Sequence, residues 1–274
     1  MGKILKRVLC PILPAAGTSV ELPEQESNHV VRVLRLKSGD QVEALDGHGN
    51  SLIGLLRIAG KKAWLENPIG TDHQVRKQPE EETILPLVLE VAIIKADPMV
   101  WMIEKAVELG VRELVPLITD HCVVKVEGKG PAEFQERWQK IADQSLKQCG
   151  RLKRMEVLPP VQFKEWLQKC PNSAKDRRYW CDKDDRLKVP DLLEELSKIP
   201  AAELRNEVVR LMIGPEGGWS EGEIEMLRAF SRSVSLGPLI LRAETAGTAA
   251  LSIASAWIRL ARAPLDKSLD PKRN

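Results

Sequence analysis

The stretch Leu211-Met212-Ile213-Gly214-Pro215-Glu216-Gly217-Gly218-Trp219-Ser220 decides how this chain is read. The apolar run from Val208 to Ile213 predicts a buried strand that ends in a Gly/Pro turn. Ser220 follows with Glu223 three residues on, the capping box of a helix start. Two adjacent glycines let the backbone approach a ligand closely and present N–H groups to it. Further along, Leu236-Gly237-Pro238-Leu239-Ile240-Leu241-Arg242-Ala243-Glu244-Thr245-Ala246 reads as a loop feeding an Ala-rich helix from Thr245 to Arg262. Strand-to-helix loops of this kind gather at the carboxyl ends of strands in an open α/β sheet, where ligands bind.

Upstream of that pair the texture is alternating strand and helix, the mark of a mostly parallel sheet. Ile84 to Ile94 predicts a strand. Asp97-Pro98 predicts a helix start, with Asp as N-cap, and Met99, Met102, Ile103, Ala106 and Val107 share its apolar face up to Gly110. Glu113 to Ile118 predicts the next strand, and a helix runs from Pro131 through Phe134, Trp138, Ile141, Ala142 and Leu146 to Gly150. Between Lys169 and Glu207 the pattern supports only a strand at Arg178 to Cys181 and a short helix at Asp191 to Ser197. The first 76 residues read differently, as short strands with tight turns around one helix, Glu24 to Lys37, which predicts a small β-barrel. Thr71 to Glu82 is polar and charged and reads as a linker. Residues after Pro264 read as a disordered tail.

Bulk properties narrow the class. With 274 residues the chain can bury a sizeable core, and 43% apolar with 29% charged residues is a soluble globular composition. No run of about eighteen apolar residues exists to cross a membrane, and Met1 to Cys10 lacks the apolar core of a secretory signal. Five scattered cysteines (Cys10, Cys122, Cys149, Cys170, Cys181), without a C-x-x-C pair, point to reduced thiols and a cytoplasmic protein. The net charge of +2 neither demands nor excludes nucleic acid, so any RNA-contacting surface has to be local. Basic residues do concentrate early, at Lys6, Arg7, Arg32, Arg35 and Lys37.

The glycine loop is neither a Walker loop nor G-x-G-x-x-G, which argues against phosphate-loop and nicotinamide enzymes. All four histidines (His29, His48, His73, His121) lie in the first half, so the two loops would have to work with Glu216, Arg242, Glu244 and backbone groups. No His/Asp/Glu cluster has ligand spacing, so no metal is expected.

Taken together, Ile213-Gly214-Pro215-Glu216-Gly217-Gly218, Ser220-x-x-Glu223 and Leu236-Gly237-x-x-Ile240-Leu241-Arg242-x-Glu244-Thr245-Ala246 resemble the RsmE family, the ribosomal RNA small subunit methyltransferases E of the SPOUT superfamily. The resemblance continues in His29-Val30-Val31-Arg32-Val33-Leu34-Arg35-Leu36-Lys37-x-Gly39-Asp40, in Lys95-Ala96-Asp97-x-Met99 with Glu104 to Val111, and in Gln148-Cys149-Gly150-Arg151. It implies an α/β fold: a SPOUT-type trefoil-knot domain over 77–264, preceded by a PUA-like RNA-binding β-barrel over 1–76. It implies S-adenosylmethionine as cofactor, a homodimer, and methylation of uridine N3 in small-subunit ribosomal RNA, naked or in the assembled subunit. Ile213, Gly214, Glu216, Gly217 and Gly218 would form the first cofactor loop. Leu236, Gly237, Ile240, Leu241, Arg242 and Thr245 would form the second. Arg242 and Glu244 would be catalytic, with Arg242 stabilising negative charge on the uracil oxygens. Arg7, Arg32, Arg35 and Lys37 would contact RNA. The chain departs from the family at Leu239, often Arg there, at Val8-Leu9 in place of an aromatic pair, and at Met155 in place of a proline. Two other readings stay open: an RNA-binding protein on an idle knot, separated by cofactor binding without transfer, and a SPOUT enzyme acting on transfer RNA, separated by methyl acceptance.

Overall fold

The computed structural model describes residues 5–69, 75–77, 85–126, 130–169, 176–181, 188–200, 203 and 207–262. By packing, the chain forms two compact units: Met1–Ile84 with Gln135–Val157, and Leu85–Phe134 with Leu158–Asn274. Most of the linker reading, the tail after Pro264 and Cys170 lie outside the described residues.

In the first unit the strands are β1 (Lys6–Leu9), β2 (Thr18–Glu21), β3 (Gln41–Leu45), β4 (Asn50–Ala59), β5 (Lys62–Asn67) and β6 (Arg76–Lys77). They form one sheet in the order β1-β3-β4-β5-β2, with β6 on β4. Among the described residues only the β1–β3 pair is parallel. Alternating residues of these strands, such as Val42, Ala44, Leu52 and Leu56, point inward with Val8, Val30 and Leu65 to make a buried apolar cluster. Arg76 and Lys77, inside the expected linker, pair with Ser51 and Asn50 and so belong to the sheet. The expected helix over Glu24 to Lys37 is shorter. An α-helix covers Glu24–Asn28, a π-helical turn follows over His29–Val33, and Arg35 adopts φ +52°, which no helix continues through. The helix Gly130–Cys149 ends at Gly150 (φ +82°), as its sequence predicts.

The second unit is built on β7 (Leu87–Ala92), β8 (Glu113–Ile118), β9 (Val161–Gln162), β10 (Asp176–Cys181), β11 (Val208–Ile213) and β12 (Arg232–Val234). Their order is β9-β8-β7-β11-β10-β12, every pair parallel. Chain direction across the sheet reverses between β7 and β11, so a crevice opens there at the carboxyl ends. Strand β7 is buried along its whole length. Its Glu90 is fully buried and accepts from Trp166 (3.0 Å) and Arg210 (3.1 Å), with Arg178 at 3.2 Å, so the charge is compensated. The helix Ala96–Glu108 buries the expected face, but it begins earlier than Asp97-Pro98 implies: Lys95 is the N-cap and provides no side-chain cap. The helix Phe163–Lys169 and strand β12 carry too few residues for periodicity to reveal them.

Candidate functional site

Strand β11 ends at Ile213 and the glycine loop begins. A Cβ at Gly214 would lie 2.9 Å from Trp219 Nε1, so glycine is what allows the indole to fold back over the loop. Gly218 N–H donates to Pro215 O (2.9 Å) and closes the turn with φ +78° at Gly218. Trp219 is held from outside by Phe163, ring centroids 5.3 Å apart. The helix Glu221–Phe230 starts with both halves of the capping box in place: Ser220 N–H donates to Glu223 (2.8 Å), and Glu223 N–H donates to Ser220 Oγ (3.3 Å).

After β12 the second loop is set by Ser235, whose hydroxyl accepts from Gly237 N–H at 3.1 Å. Gly237 takes φ +110°, and the chain then reaches the helix Ala243–Arg262, which packs on Ala96–Glu108. The thioether end of Met102 fills the space beside Gly247, so a Cβ there would have to displace it.

The two loops enclose a cavity of about 500 Å³, the size range of small-molecule sites. Of the residues the sequence assigned to cofactor binding, Ile213, Gly214, Glu216, Gly218, Leu236, Gly237, Ile240, Leu241 and Arg242 line it. Gly217 and Thr245 do not: both are solvent-exposed, and Gly217 faces His121. The proposed catalytic pair, Arg242 and Glu244, both lie on the wall. Lys95, Pro98 and Cys181, which the sequence did not assign to the site, also line it, as do Pro215, Trp219, Leu239, Ala243 and Ala246 from the two loops and the helix that follows. The first three sit where β7 and β10 end, so the carboxyl-end rule would have found them had strand neighbours been known. Glu216 accepts from Lys95 N–H (3.4 Å), which joins the glycine loop to the start of the neighbouring helix.

The lining fits a nucleoside-type sulfonium cofactor. Ile213, Leu236, Ile240, Leu241 and Ala243 offer an apolar wall for a flat base. Glu216 and Glu244 offer acceptors for hydroxyl and ammonium groups. Trp219 carries a buried indole N–H with no acceptor among the described residues, which a polar ligand atom would satisfy. Among the described residues no group of three or more His, Cys, Asp or Glu is placed to hold a metal ion.

The residues assigned to RNA fall in the first unit. Arg32, Arg35 and Lys37 are exposed together beside an exposed Val33. Arg7 is engaged instead: it pairs with Glu43 (2.8 Å) and donates to the carbonyl of Lys147 (3.1 Å). Arg151 is buried, and burial pushes its guanidinium down to about 10.

A parallel sheet with paired glycine loops over one cavity, and a small β unit with an exposed basic turn, suit an RNA methyltransferase. A family model for an RNA methyltransferase domain matches residues 80–255, and one for an RNA methyltransferase PUA domain matches residues 22–62. Ribosomal RNA small subunit methyltransferase E of Synechocystis is 31% identical, over 85% of this chain and 72% of that protein. The Bacillus subtilis protein of the same name is 28% identical, over 87% and 90%. The structure of ribosomal RNA small subunit methyltransferase E from Neisseria gonorrhoeae bound to S-adenosyl methionine superposes with TM-score 0.74 at 28% identity, over 92% and 98% of the two chains. A Legionella pneumophila protein in complex with the cofactor SAM gives 0.80 at 27%, over 93% and 98%. This chain belongs to the ribosomal RNA small subunit methyltransferase E family.

Proposed function

We propose that this protein transfers a methyl group from S-adenosylmethionine to N3 of a uridine in 16S ribosomal RNA. The observation that carries the reading is the cavity enclosed by both glycine loops, with Arg242 and Glu244 on its wall. When bound, S-adenosylmethionine supplies an electrophilic methyl on a sulfonium. Uridine N3 carries a proton at neutral pH, which has to leave before that nitrogen can act as a nucleophile. Arg242 is exposed at the wall and stabilises the negative charge that develops on the uracil oxygens. Glu244 takes the N3 proton; Glu216, already accepting from Lys95 N–H, orients the cofactor loop instead. Residues 1–76 contact RNA through Arg32, Arg35 and Lys37, while 77–264 carry the knot and the chemistry. Leu239 (74%) and Ile240 (66%), on the cavity lining, stay largely exposed, which supports a homodimer in which a second copy covers them. The reduced thiols Cys10, Cys122 and Cys149 support a cytoplasmic location.

Two measurements test this. Nuclease digestion of 16S RNA methylated in vitro should release N3-methyluridine; methyl transfer to transfer RNA alone would overturn the substrate. Arg242→Ala should cut kcat by about 10²-fold, the usual loss for a charge-stabilising donor, with the affinity for S-adenosylhomocysteine unchanged. Normal turnover by that variant would remove Arg242 from the mechanism.

A further inference from the structure

The glycine loop is not shaped by its own residues alone. Its one internal hydrogen bond among the described residues is the turn closure at Gly218. The turn after β8, Thr119–Cys122, reaches across to it. Asp120 N–H donates to Glu223 Oε1 (2.9 Å), while the other oxygen of that carboxylate takes Ser220 N–H (2.8 Å). One buried carboxylate therefore clasps both turns. Ser220 Oγ donates back to Asp120 Oδ2 at 2.6 Å. His121 Nδ1 lies 2.9 Å from Gly218 O. A carbonyl can only accept, so Nδ1 carries the hydrogen and donates. His121 also packs so tightly on the loop that a Cβ at Gly217 would lie 3.0 Å from the histidine Cβ. A side chain there would press on His121, at a position with no positive φ and no place on the cavity wall.

We infer that His121 is a positioning residue for cofactor binding: its Nδ1–H bond to Gly218 holds Gly218 and Trp219, both on the cavity wall, in the binding conformation. Strand β11 and the helix Glu221–Phe230 are fixed by their own ladders and packing. The short loop between them has the freedom that an outside bond removes. Ordering it before binding raises affinity without any contact between His121 and the ligand. This inference rests on the cofactor reading proposed above.

The experiment is calorimetric titration of the full chain with S-adenosylhomocysteine, for wild type, His121→Ala, His121→Asn and His121→Gln. Loss of one hydrogen bond that orders the loop should weaken binding by about five- to tenfold in His121→Ala. The Asn amide nitrogen stands where Nδ1 stands, so His121→Asn should bind within about twofold of wild type. The Gln amide sits one methylene further out and should not restore binding. Wild-type affinity in His121→Ala, or equal affinity of the Asn and Gln variants, would overturn the positioning role while leaving the cofactor site intact. If His121→Ala fails to fold, the Asn–Gln difference decides. Failure of wild type itself to bind overturns the cofactor reading and this inference with it.

Discussion

Lys147 places its ammonium 2.6 Å from a Glu26 carboxylate oxygen, with side chains only 10% and 8% exposed. The second Glu26 oxygen takes Leu9 N–H at 3.1 Å. Removing one partner of a buried pair strands the other charge, which costs about 3–5 kcal/mol. Lys147→Ala should therefore lower the urea midpoint clearly, whereas Arg57→Ala, which breaks the exposed pair with Glu66, should shift it little. The cysteines differ in the same way. Burial pushes the Cys10 thiol up to about 11, while Cys149 is exposed. Since only the thiolate reacts, iodoacetamide at about pH 8 should label Cys149 in the native protein and leave Cys10 untouched until it unfolds. Labelling of Cys10 at a comparable rate would contradict its burial. None of these partners is legible in sequence: Arg7 shows a charge, but not Glu43 beside it.

At the scale of elements, the helix Glu221–Phe230 is the one whose start was fully legible, because a capping box is a local device with fixed spacing. Ser220→Ala removes both the cap and the bond to Asp120. It should destabilise the second unit by about 1 kcal/mol or somewhat more, read as a lower melting temperature. Gly247→Ala tests the packing of two helices instead. The new methyl meets Met102, so Met102 must leave its place or the helices must part, at about 1–3 kcal/mol. A melting temperature equal to wild type would show that Met102 yields freely. The helix read over Glu24 to Lys37 fails for a reason apolar spacing cannot carry. The π turn and the left-handed Arg35 are backbone choices imposed by packing Val30 into the core.

For the whole molecule, the two families of residues fall in different compact units, Arg32, Arg35 and Lys37 in one and the cavity in the other. Their functions should separate in solution. Replacing all three basic residues by alanine should reduce the salt dependence of RNA affinity by about one log–log unit for each phosphate that is no longer neutralised. Titration with S-adenosylhomocysteine should be unchanged. Failure of that variant to bind the cofactor would mean that the units are not independent.

What the chain's sequence determined by itself is what depends on neighbours along it. The parallel α/β texture, the buried strand Val208–Ile213, the capping box and the residues of both loops follow from periodicity, turn chemistry and motif spacing. Only the tertiary structure decided which distant segments meet. Lys95 and Cys181 reach the cavity because β7 and β10 flank β11, an order no local pattern encodes. Gln135–Val157 packs with Met1–Ile84, where Lys147 pairs with Glu26 and its carbonyl accepts from Arg7, across more than a hundred residues of chain. His121, which its place in the first half of the sequence set apart from the two loops, lies against the glycine loop for the same reason: hydrogen bonds and packing are decided by proximity in space, which sequence separation does not report.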